Sequence, residues 1–365
     1  MISIIPYSES HEDGIKSLCK IPVSGRISLA LEREPLYFKG SQIQCEQPEV
    51  YVAHDAAVNK IWAVFNVGKR RLWINGNVEW VRYLCDLRIH PDKQGSSLLL
   101  RISKFFQEIS ADDKWPAQTI VFSDNERMLN MIDRRSKLNQ KSKLPYYHFA
   151  GRLITHLCTF NSKLVSSGKY KVRRASSSDI PGMQAFADHE NSKVNYAPYY
   201  DFSQLESYYY HGLEINDFYL AFENSTIVGI CGVWDQNSFK QTRITGYDSL
   251  LSIIRPLYNL ISATGFYTPL PKAGSILKYM NTHSIVIENR NPEIFQQLIA
   301  TINANFKSKN YDYWMCSLSE KDPLIDVFKS IRSRIVKGNY YFVSPDVNIS
   351  KEFMPDVFSF ESARI

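Results

Sequence analysis

The stretch VRYLCDLRIHPDKQGSSLLLRISKFFQEI (81–109) decides the fold. Its first part, 81–91, is rich in aromatic, leucine and β-branched residues and predicts a long strand that ends near Pro91. Its last part predicts an amphipathic helix, because Leu98, Ile102, Phe105, Phe106 and Ile109 recur at helical spacing. A glycine and two serines therefore lie where a strand turns into a helix, which is a common place for backbone amides to hold phosphate.

Two interpretations of this junction stay open. In the first it is a plain turn, with Asp92 or Ser96 as the residue that caps the helix. In the second it holds an anion, because Gly95 lets a ligand approach the backbone and the hydroxyl of Ser97 can donate to phosphate. Leu99 is larger than such a loop favours and would narrow the site.

Length and composition limit the class of protein. A chain of 365 residues favours two domains, and 44% hydrophobic with 22% charged residues is typical of a globular protein. The sequence has no apolar run approaching the ~18 residues of a membrane span, and residues 1–14 lack the basic start of a signal peptide. The six cysteines form no CxxC pair, which favours reduced thiols, and neither they nor any other pattern predicts a metal site. We therefore expect a cytoplasmic protein, monomeric or homodimeric, without a membrane partner.

The net charge of +6 is mild for a chain of this length. It is compatible with an anionic ligand such as a nucleotide cofactor, but it does not require a nucleic acid. We expect no nucleic-acid partner.

The chain contains an internal repeat. In one constant register, Ser8 aligns with Ser176 and Gly14 with Gly182. The matching windows are 3–18 with 171–186, and 50–55 with 218–223. Two matches in one register indicate a duplicated domain. The Ser-, Gly- and Lys-rich stretch 160–171 then separates an N-terminal domain, 1–165, from a C-terminal domain, 166–365.

Each half has a similar order of predicted elements. Strands come first, an amphipathic helix follows the central strand, and further strands close the half. The region 12–44 is predicted to be helical and broken at Pro22 and Pro35. The fold class is α/β (α+β), with a mixed, mostly antiparallel twisted sheet flanked by helices in each of two tandem domains.

This order, with LRIHPDKQGSSLLLRI (87–102) at its centre, resembles the GNAT superfamily of acyl-CoA-dependent N-acyltransferases. Family members carry an (Arg/Gln)-x-x-Gly-x-(Gly/Ala) loop that opens a helix after the fourth strand. Gln94 and Gly95 match this pattern, whereas Ser97 and Leu99 stand at small positions of the family loop. The resemblance of strand order covers nearly the whole chain, while the specific loop motif is confined to a short part of it.

The resemblance implies acetyl-CoA as the cofactor, bound by the N-terminal domain. The thioester would lie against the backbone amides of the central strand, the pyrophosphate on the loop and the helix start, and the pantetheine arm against an asparagine. The residues at these positions are Leu87, Arg88, Ile89, Gln94, Gly95, Ser96, Ser97, Leu98 and Asn125.

The resemblance also implies a catalytic base and a catalytic acid. A carboxylate on the central strand commonly serves as the base, which points to Asp86 and then to Glu79. An ion pair with a neighbouring arginine is the alternative for Asp86. Relatives use a tyrosine as the acid, but Ile132 stands at the expected position, which leaves Tyr146 or Tyr147 as the replacement, with a packed aromatic residue as the alternative.

The C-terminal domain departs from the pattern. RNPEIFQQL (290–298) stands where the loop belongs, it has no glycine, and Glu293 at the helix start would repel pyrophosphate. We expect no cofactor there. The stretch 248–276 is expected to be an amphipathic helix kinked by Pro256 with a packed loop, or else a lid.

Two further stretches have alternative interpretations. The seven tyrosines of 195–219 suit either packing or an acceptor pocket. The five basic residues of 133–143 suit either a solvated loop or contact with the 3′-phosphate of the cofactor.

Three functions remain. The leading one is an N-acetyltransferase acting on an amine of a small molecule, an amino acid or a peptide. The second is aminoacyl transfer from aminoacyl-tRNA, which the Gln94–Gly95 pair and the mild charge disfavour. The third is a binding module that kept the fold and lost the chemistry.

Overall fold

The computed structural model describes residues 1–23, 25–137, 144–160, 164, 168–262, 269–345 and 358–365. The strands of the first half are β1 Ile2–Pro6, β2 Ile27–Glu32, β3 Val50–Asp55, β4 Lys60–Asn66, β5 Lys69–Ile74, β6 Asn77–Ile89, β7 Ala117–Phe122 and β8 Tyr146–Cys158. Its helices are α1 Glu12–Cys19, α2 Tyr37–Gln44, α3 Leu98–Ile109 and α4 Glu126–Lys137.

The second half has a related order of elements. Its strands are β9 Lys171–Arg174, β10 Ala197–Pro198, β11 Phe218–Glu223, β12 Thr226–Asp235, β13 Gln241–Tyr247, β14 Tyr279–Ile287, β15 Tyr313–Ser319 and β16 Ser333–Ser344. Its helices are α5 Ile180–Asn191, α6 Ser249–Ser262 and α7 Pro292–Phe306.

The structure reproduces the repeat that the sequence predicts. The hydroxyls of Ser8 and Ser10 lie 2.8 Å apart, and those of Ser176 and Ser178, in the same register of the repeat, lie 3.0 Å apart. Each pair belongs to a short 3-10 turn that leads into a helix, α1 or α5. Strands β3 and β11 also have identical bounds in that register.

Most strands form one mixed sheet in the order β1-β3-β4-β6-β7-β16-β8-β15-β14-β12-β11-β9. The pairs β6–β7 and β14–β15 are parallel, and the other neighbours along this path are antiparallel. The closing strands are exchanged, because β16 lies between β7 and β8 whereas β8 pairs with β15. The predicted α/β class with a mostly antiparallel sheet is confirmed. The division at 165/166 stays a prediction, and the exchange makes each half depend on a strand of the other.

A two-stranded ribbon, β2 with β13, also joins the halves. The prediction of a broken helix over 12–44 is wrong for Ile27–Glu32, which forms β2. Glu32 pairs with Gln241, so Arg33 and Lys240 face each other at the end of the ribbon. The sequence of the first half alone offers no partner for this strand, since its partner belongs to the second half of the chain.

Helix α3 fixes the position of the glycine–serine loop. Leu98, Ile102 and Phe106 are at most 5% exposed and pack against the β3 and β4 side chains Ala53 and Phe65. Burial of a side chain of this size contributes about 1.5–3 kcal/mol. The predicted helical face is therefore the one that anchors the loop to the sheet.

Candidate active site

The central strand β6 contains a β-bulge. Arg88 pairs with Val64 and Cys85 with Asn66, so two residues of β6, Asp86 and Leu87, face one residue of β4. Asp86 has a φ of +53°, a conformation that aspartate adopts more readily than most residues. A bulge breaks the regular alternation of side chains along a strand, and it leaves one backbone amide outside the ladder.

The second half carries the same bulge. Val286 pairs with Ile230 and His283 with Gly232, and Ser284 has a φ of +49°. Ser284 aligns with Asp86 when the sequences of the two central strands are aligned. Both halves therefore have a bulged central strand.

We call the space between β6 and β7 the first cleft. These parallel strands pair only at Tyr83 with Gln118 and at Leu84 with Thr119, whose hydroxyl donates to the Leu84 carbonyl at 2.9 Å. Beyond them β6 continues to residue 89 and β7 to residue 122 without further pairing between the two, while the other edge of β7 pairs with β16 along its length. Diverging strands present backbone donors and acceptors along the cleft, and the bulge lies on its wall.

The glycine–serine loop closes one end of the first cleft. Gly95 has a φ of +82°, which strains any other residue, and a Cβ there would lie 3.4 Å from a guanidinium nitrogen of Arg127. The Ser96 hydroxyl donates to the Lys93 carbonyl at 2.6 Å and accepts from the Leu98 amide at 3.3 Å. The local turn that we considered as an alternative is therefore present. It still leaves residues 94–97 exposed at the start of a twelve-residue helix, where amides have no acceptor within the helix.

Two basic side chains border this loop. Arg127, in the first turn of α4, donates to the Gln94 side chain, which itself donates to the Ile89 carbonyl at 3.1 Å. The Lys93 ammonium lies 4.6 Å from the centre of the Trp62 ring. A positive charge beside exposed helix-start amides favours a phosphate.

Asn125 caps helix α4, since its side-chain oxygen accepts from the Met128 amide at 3.2 Å. The structure places it at the end of β7, on the same edge of the sheet as the loop. Ile132, at the position where relatives have a tyrosine, is 9% exposed and packs in an apolar cluster.

Asp86 forms a buried ion pair with Arg33. The two carboxylate oxygens lie 3.2 and 3.4 Å from the guanidinium, and the side chains are 9% and 3% exposed. Burial raises the pKa of Asp86, but the charges of Arg33, Arg88 and Lys240 outweigh it and lower the pKa below its usual value. A carboxylate with a lowered pKa is a weak base.

Lys240 reaches the same place from the opposite strand of the ribbon. Burial and the charge of Arg33 lower the pKa of Lys240 to about 7, although Asp86 opposes this shift. Its ammonium donates to the main-chain oxygen of Ile365. An amine with this pKa accepts and returns a proton near neutral pH.

The other two predicted catalytic residues have other partners. Glu79 is seven residues from Asp86, roughly 23 Å along an extended strand, and it binds the Lys114 ammonium at 2.6 Å. That hydrogen bond is the main cause that lowers the pKa of Glu79. Tyr147 packs on Tyr341 with a centroid distance of 6.1 Å, and burial raises its pKa to about 12. The structure does not bring Glu79 to the bulge, and its surroundings make Tyr147 a weaker acid.

We call the corresponding space between β14 and β15 the second cleft. It is filled by the chain's own residues 358–365. Glu361 accepts from the Ser284 amide at 2.8 Å and from the Tyr200 hydroxyl at 2.9 Å. The loop position of this half begins a helix capped by Asn291, whose side chain accepts from the Glu293 amide at 2.9 Å. That the second half holds no cofactor stays a prediction.

Three residues of the tyrosine-rich stretch, Tyr200, Tyr209 and Tyr210, contact the same terminal segment. The Arg364 guanidinium lies 3.4 Å from the centre of the Tyr209 ring and 5.0 Å from that of Tyr210. Tyr208 is 72% exposed. The basic stretch 133–143 lies largely outside the described residues, which end at 137 there.

Sequence reasoning missed Arg33, Lys240 and Arg127. The first two meet through pairing between the halves, for which no local pattern exists. Arg127 carried a weak signal, since it follows Asn125, the residue that the resemblance assigns to the pantetheine arm, and belongs to the first turn of a helix at the end of β7. Among the described residues, no group of three or more His, Cys, Asp or Glu side chains is arranged to hold a metal ion.

No protein-family model matches the sequence, and no curated protein matches it. Solved structures do match. Saccharomyces cerevisiae N-myristoyltransferase with bound myristoyl-CoA superimposes with a TM-score of 0.61 at 10% identity, over 98% of this chain and 88% of that one. A GCN5-related N-acetyltransferase from Anabaena variabilis gives 0.53 at 11% identity, over 95% and 74%.

A third match is the GCN5-related glucosamine N-acetyltransferase region of a fungal multi-domain GH3 β-N-acetylglucosaminidase, with a TM-score of 0.57 at 13% identity. It covers 94% of this chain and 38% of that one. These similarities show that the chain has the fold shared by these N-acetyltransferases and the N-myristoyltransferase, which confirms the fold that the resemblance in the sequence predicts. The tandem arrangement fits a chain of 365 residues.

Proposed function

We propose that the protein is an N-acyltransferase that moves an acyl group from acyl-CoA to a primary amine, with the first cleft as its donor site. The observation that carries the proposal is the asymmetry of the halves. The bulge at Asp86–Leu87 lies beside an exposed glycine–serine loop, whereas the bulge at Ser284 is covered by Glu361.

The residues of the first cleft suit coenzyme A. The amides of Ser97 and Leu99 stand at the start of α3, and Arg127 supplies a positive charge for the pyrophosphate. Bound acyl-CoA supplies an activated thioester carbonyl. The bulged backbone at Leu87, whose side chain is 42% exposed, would donate to the carbonyl oxygen, where negative charge develops.

The acceptor amine must lose a proton before it attacks. Lys240 suits this task better than Asp86, because its pKa is lowered to about 7 while Asp86 is held by Arg33. We assign Asp86 and Arg33 to positioning: the ion pair holds the bulge and sets the charge around Lys240. Tyr147, with a raised pKa, leaves the departing thiolate without strong acid assistance.

The length of the acyl chain distinguishes two donors. Acetyl-CoA is the donor expected from the loop, and the glucosamine and Anabaena N-acetyltransferases agree with it. A long-chain acyl-CoA is the second candidate, because the myristoyl-CoA complex matches over 88% of its own chain. Acceptors then range from an amino sugar or amino acid to the amine of a peptide.

Titration calorimetry with acetyl-CoA, myristoyl-CoA and free coenzyme A tests the donor site. We expect micromolar binding of coenzyme A and tighter binding of one acyl form. Thiol release in the presence of amino acids, amino sugars and short peptides then tests transfer. If none of the three binds at high micromolar concentration, the proposal is wrong; if binding occurs without thiol release from any amine, the protein is a binding module instead.

A further inference from the structure

Helix α6 presents its apolar face outwards. Its large apolar side chains with exposures from 41% to 77% are Leu250, Ile253, Ile254, Leu257, Leu260 and Ile261. At the 100° per residue of an α-helix they fall within an arc of roughly 120°. This stripe contains no charged residue.

The inner face of α6 is the polar one. Arg255 donates to the Leu270 carbonyl at 3.1 Å, and Asn259 both donates to that carbonyl and accepts from the Leu270 amide at 2.7 Å. On the same side, the Tyr258 hydroxyl accepts from Arg334 at 3.0 Å. A surface helix of a globular protein normally has the opposite arrangement, with apolar residues on the inner face. The amphipathic pattern seen in the sequence is real, but its apolar side faces away from the core.

Exposed basic residues lie on segments around α6, and we call them its cationic border. Arg26, with a side chain 73% exposed, lies beside Asp248 at the start of α6, at 3.6 Å. Lys272 is exposed on the segment that binds Arg255, and Arg332 is exposed next to Arg334. The border also contains an acidic residue, Asp248, which contacts α6.

We propose that α6 docks the protein on an anionic membrane surface. The combination of an apolar stripe with a cationic border matches helices that lie in the plane of a bilayer interface, where the stripe enters the acyl boundary and the cations meet lipid headgroups. None of the helices in the described part of the chain is long and apolar enough to cross a membrane, and docking of this kind requires no crossing. The expectation of no membrane partner rested on the absence of a membrane span, and this proposal departs from that expectation. The proposal is independent of the acyltransferase activity.

Co-sedimentation with vesicles tests the proposal. We compare vesicles of phosphatidylcholine alone with vesicles that contain about one third phosphatidylglycerol. We expect binding to the anionic vesicles that weakens with added salt, because exposed charges are screened over about 10 Å at 0.1 M. The double variant Ile253→Ser/Leu257→Ser, at positions 77% and 61% exposed, should bind at least tenfold more weakly.

The matched control is Val58→Ser, which removes a side chain that is 63% exposed on the β3–β4 turn, and it should bind as the wild type does. The proposal is overturned if the wild type ignores anionic vesicles, or if the double variant binds them equally well. It is also overturned if gel filtration shows a dimer that the double variant abolishes while vesicle binding is absent, since the stripe then contacts a second copy of the chain.

Discussion

The Glu361 carboxylate accepts a hydrogen bond at 2.8 Å from the backbone amide of Ser284, the residue of the second bulge. The corresponding bulge in the first half, at Asp86, carries no such cover among the described residues. A duplicated structural feature thus has two uses. We propose that one copy holds a ligand, whereas the other is closed by a carboxylate of the same chain, which anchors residues 358–365 in the sheet.

Glu361→Ala should destabilise the protein by about 2–4 kcal/mol, because the Ser284 amide and the Tyr200 hydroxyl would lose their acceptor in a buried site. Urea unfolding measures the change. Burial raises the pKa of Glu361, which favours its neutral form. The neutral, similarly shaped side chain of Glu361→Gln should therefore recover part of the lost stability. The control is Glu320→Ala, whose side chain is 50% exposed and which should change stability by less than about 1 kcal/mol. Coenzyme A binding should be equal in all these variants, and a loss of binding in Glu361→Ala would place the donor in the second cleft.

Gly95→Glu should abolish coenzyme A binding, because the side chain strains a backbone φ of +82°, approaches Arg127 and adds a negative charge where a phosphate is proposed to lie. Gly95→Ala should weaken binding less. The matched control is Gly76→Ala, which has a similar φ of +73° but open space around it, in the β5–β6 turn. Both alanine variants lose comparable stability, on the order of 1 kcal/mol. Calorimetry with coenzyme A separates them, and equal affinity of Gly95→Glu and wild type would show that the site is misplaced.

Asp86→Asn should destabilise the fold by about 3–5 kcal/mol, because it leaves the Arg33 guanidinium buried without its counter-ion. The double variant Asp86→Asn/Arg33→Met removes both charges and should regain much of this loss. If Asp86 were the base instead, the double variant would fold well and still show no turnover. We expect it to retain measurable turnover, since Lys240 remains. Thermal unfolding and thiol release on the same samples distinguish the two roles.

Lys240 sets the expected pH dependence of turnover. The base works in its neutral form, and its pKa is lowered to about 7, so kcat/KM should fall tenfold per pH unit below that value and level off above it. The arginine of Lys240→Arg stays protonated and cannot act as the base. The variant should therefore lose at least a hundredfold in kcat with an unchanged affinity for coenzyme A. Lys278→Arg, an exposed lysine of the same half, is the control and should keep the full profile. An unaltered pH profile in Lys240→Arg would exclude Lys240 as the base.

The fold was largely predictable because its signals are local or periodic. The apolar spacing of Leu98, Ile102 and Phe106 predicted the helix that anchors the loop, and the register of the repeat predicted the equivalent places of Ser8 and Ser176. The bulge at Asp86 was not predictable from alternation, because one extra residue shifts every later side chain to the other face.

The catalytic surroundings were less predictable because they depend on contacts between the halves. Arg33 and Lys240 meet only through the pairing of Glu32 with Gln241, which joins strands that are far apart in the sequence. A basic residue that follows a short strand carries no sign of its partner. The outward face of α6 was missed for a related reason: a helical pattern indicates that an apolar side exists, but the side that faces the core is set by tertiary contacts such as Asn259 with Leu270.

His156 should make stability depend on acid. Its ring stacks on Phe328 at 4.1 Å, its Nδ1 lies 2.8 Å from the Ser333 hydroxyl, and burial lowers its pKa to about 4. In the unfolded chain the imidazole has a pKa of about 6.5, so between these values the unfolded state binds the proton and the folded state does not. Stability is therefore complete above pH 7 and falls as the pH drops from 6.5 towards 4, by roughly 2 kcal/mol at pH 5.

His156→Phe keeps the stacking but cannot titrate, and it should flatten this part of the pH profile measured by urea unfolding. The variant is less stable than the wild type at pH 7, since Ser333 loses its partner, so the comparison is made on the slope rather than on the absolute value. His189→Gln removes a histidine whose side chain is 72% exposed and should leave the slope as it is. An equal slope in wild type and His156→Phe would mean that His156 takes up its proton without unfolding.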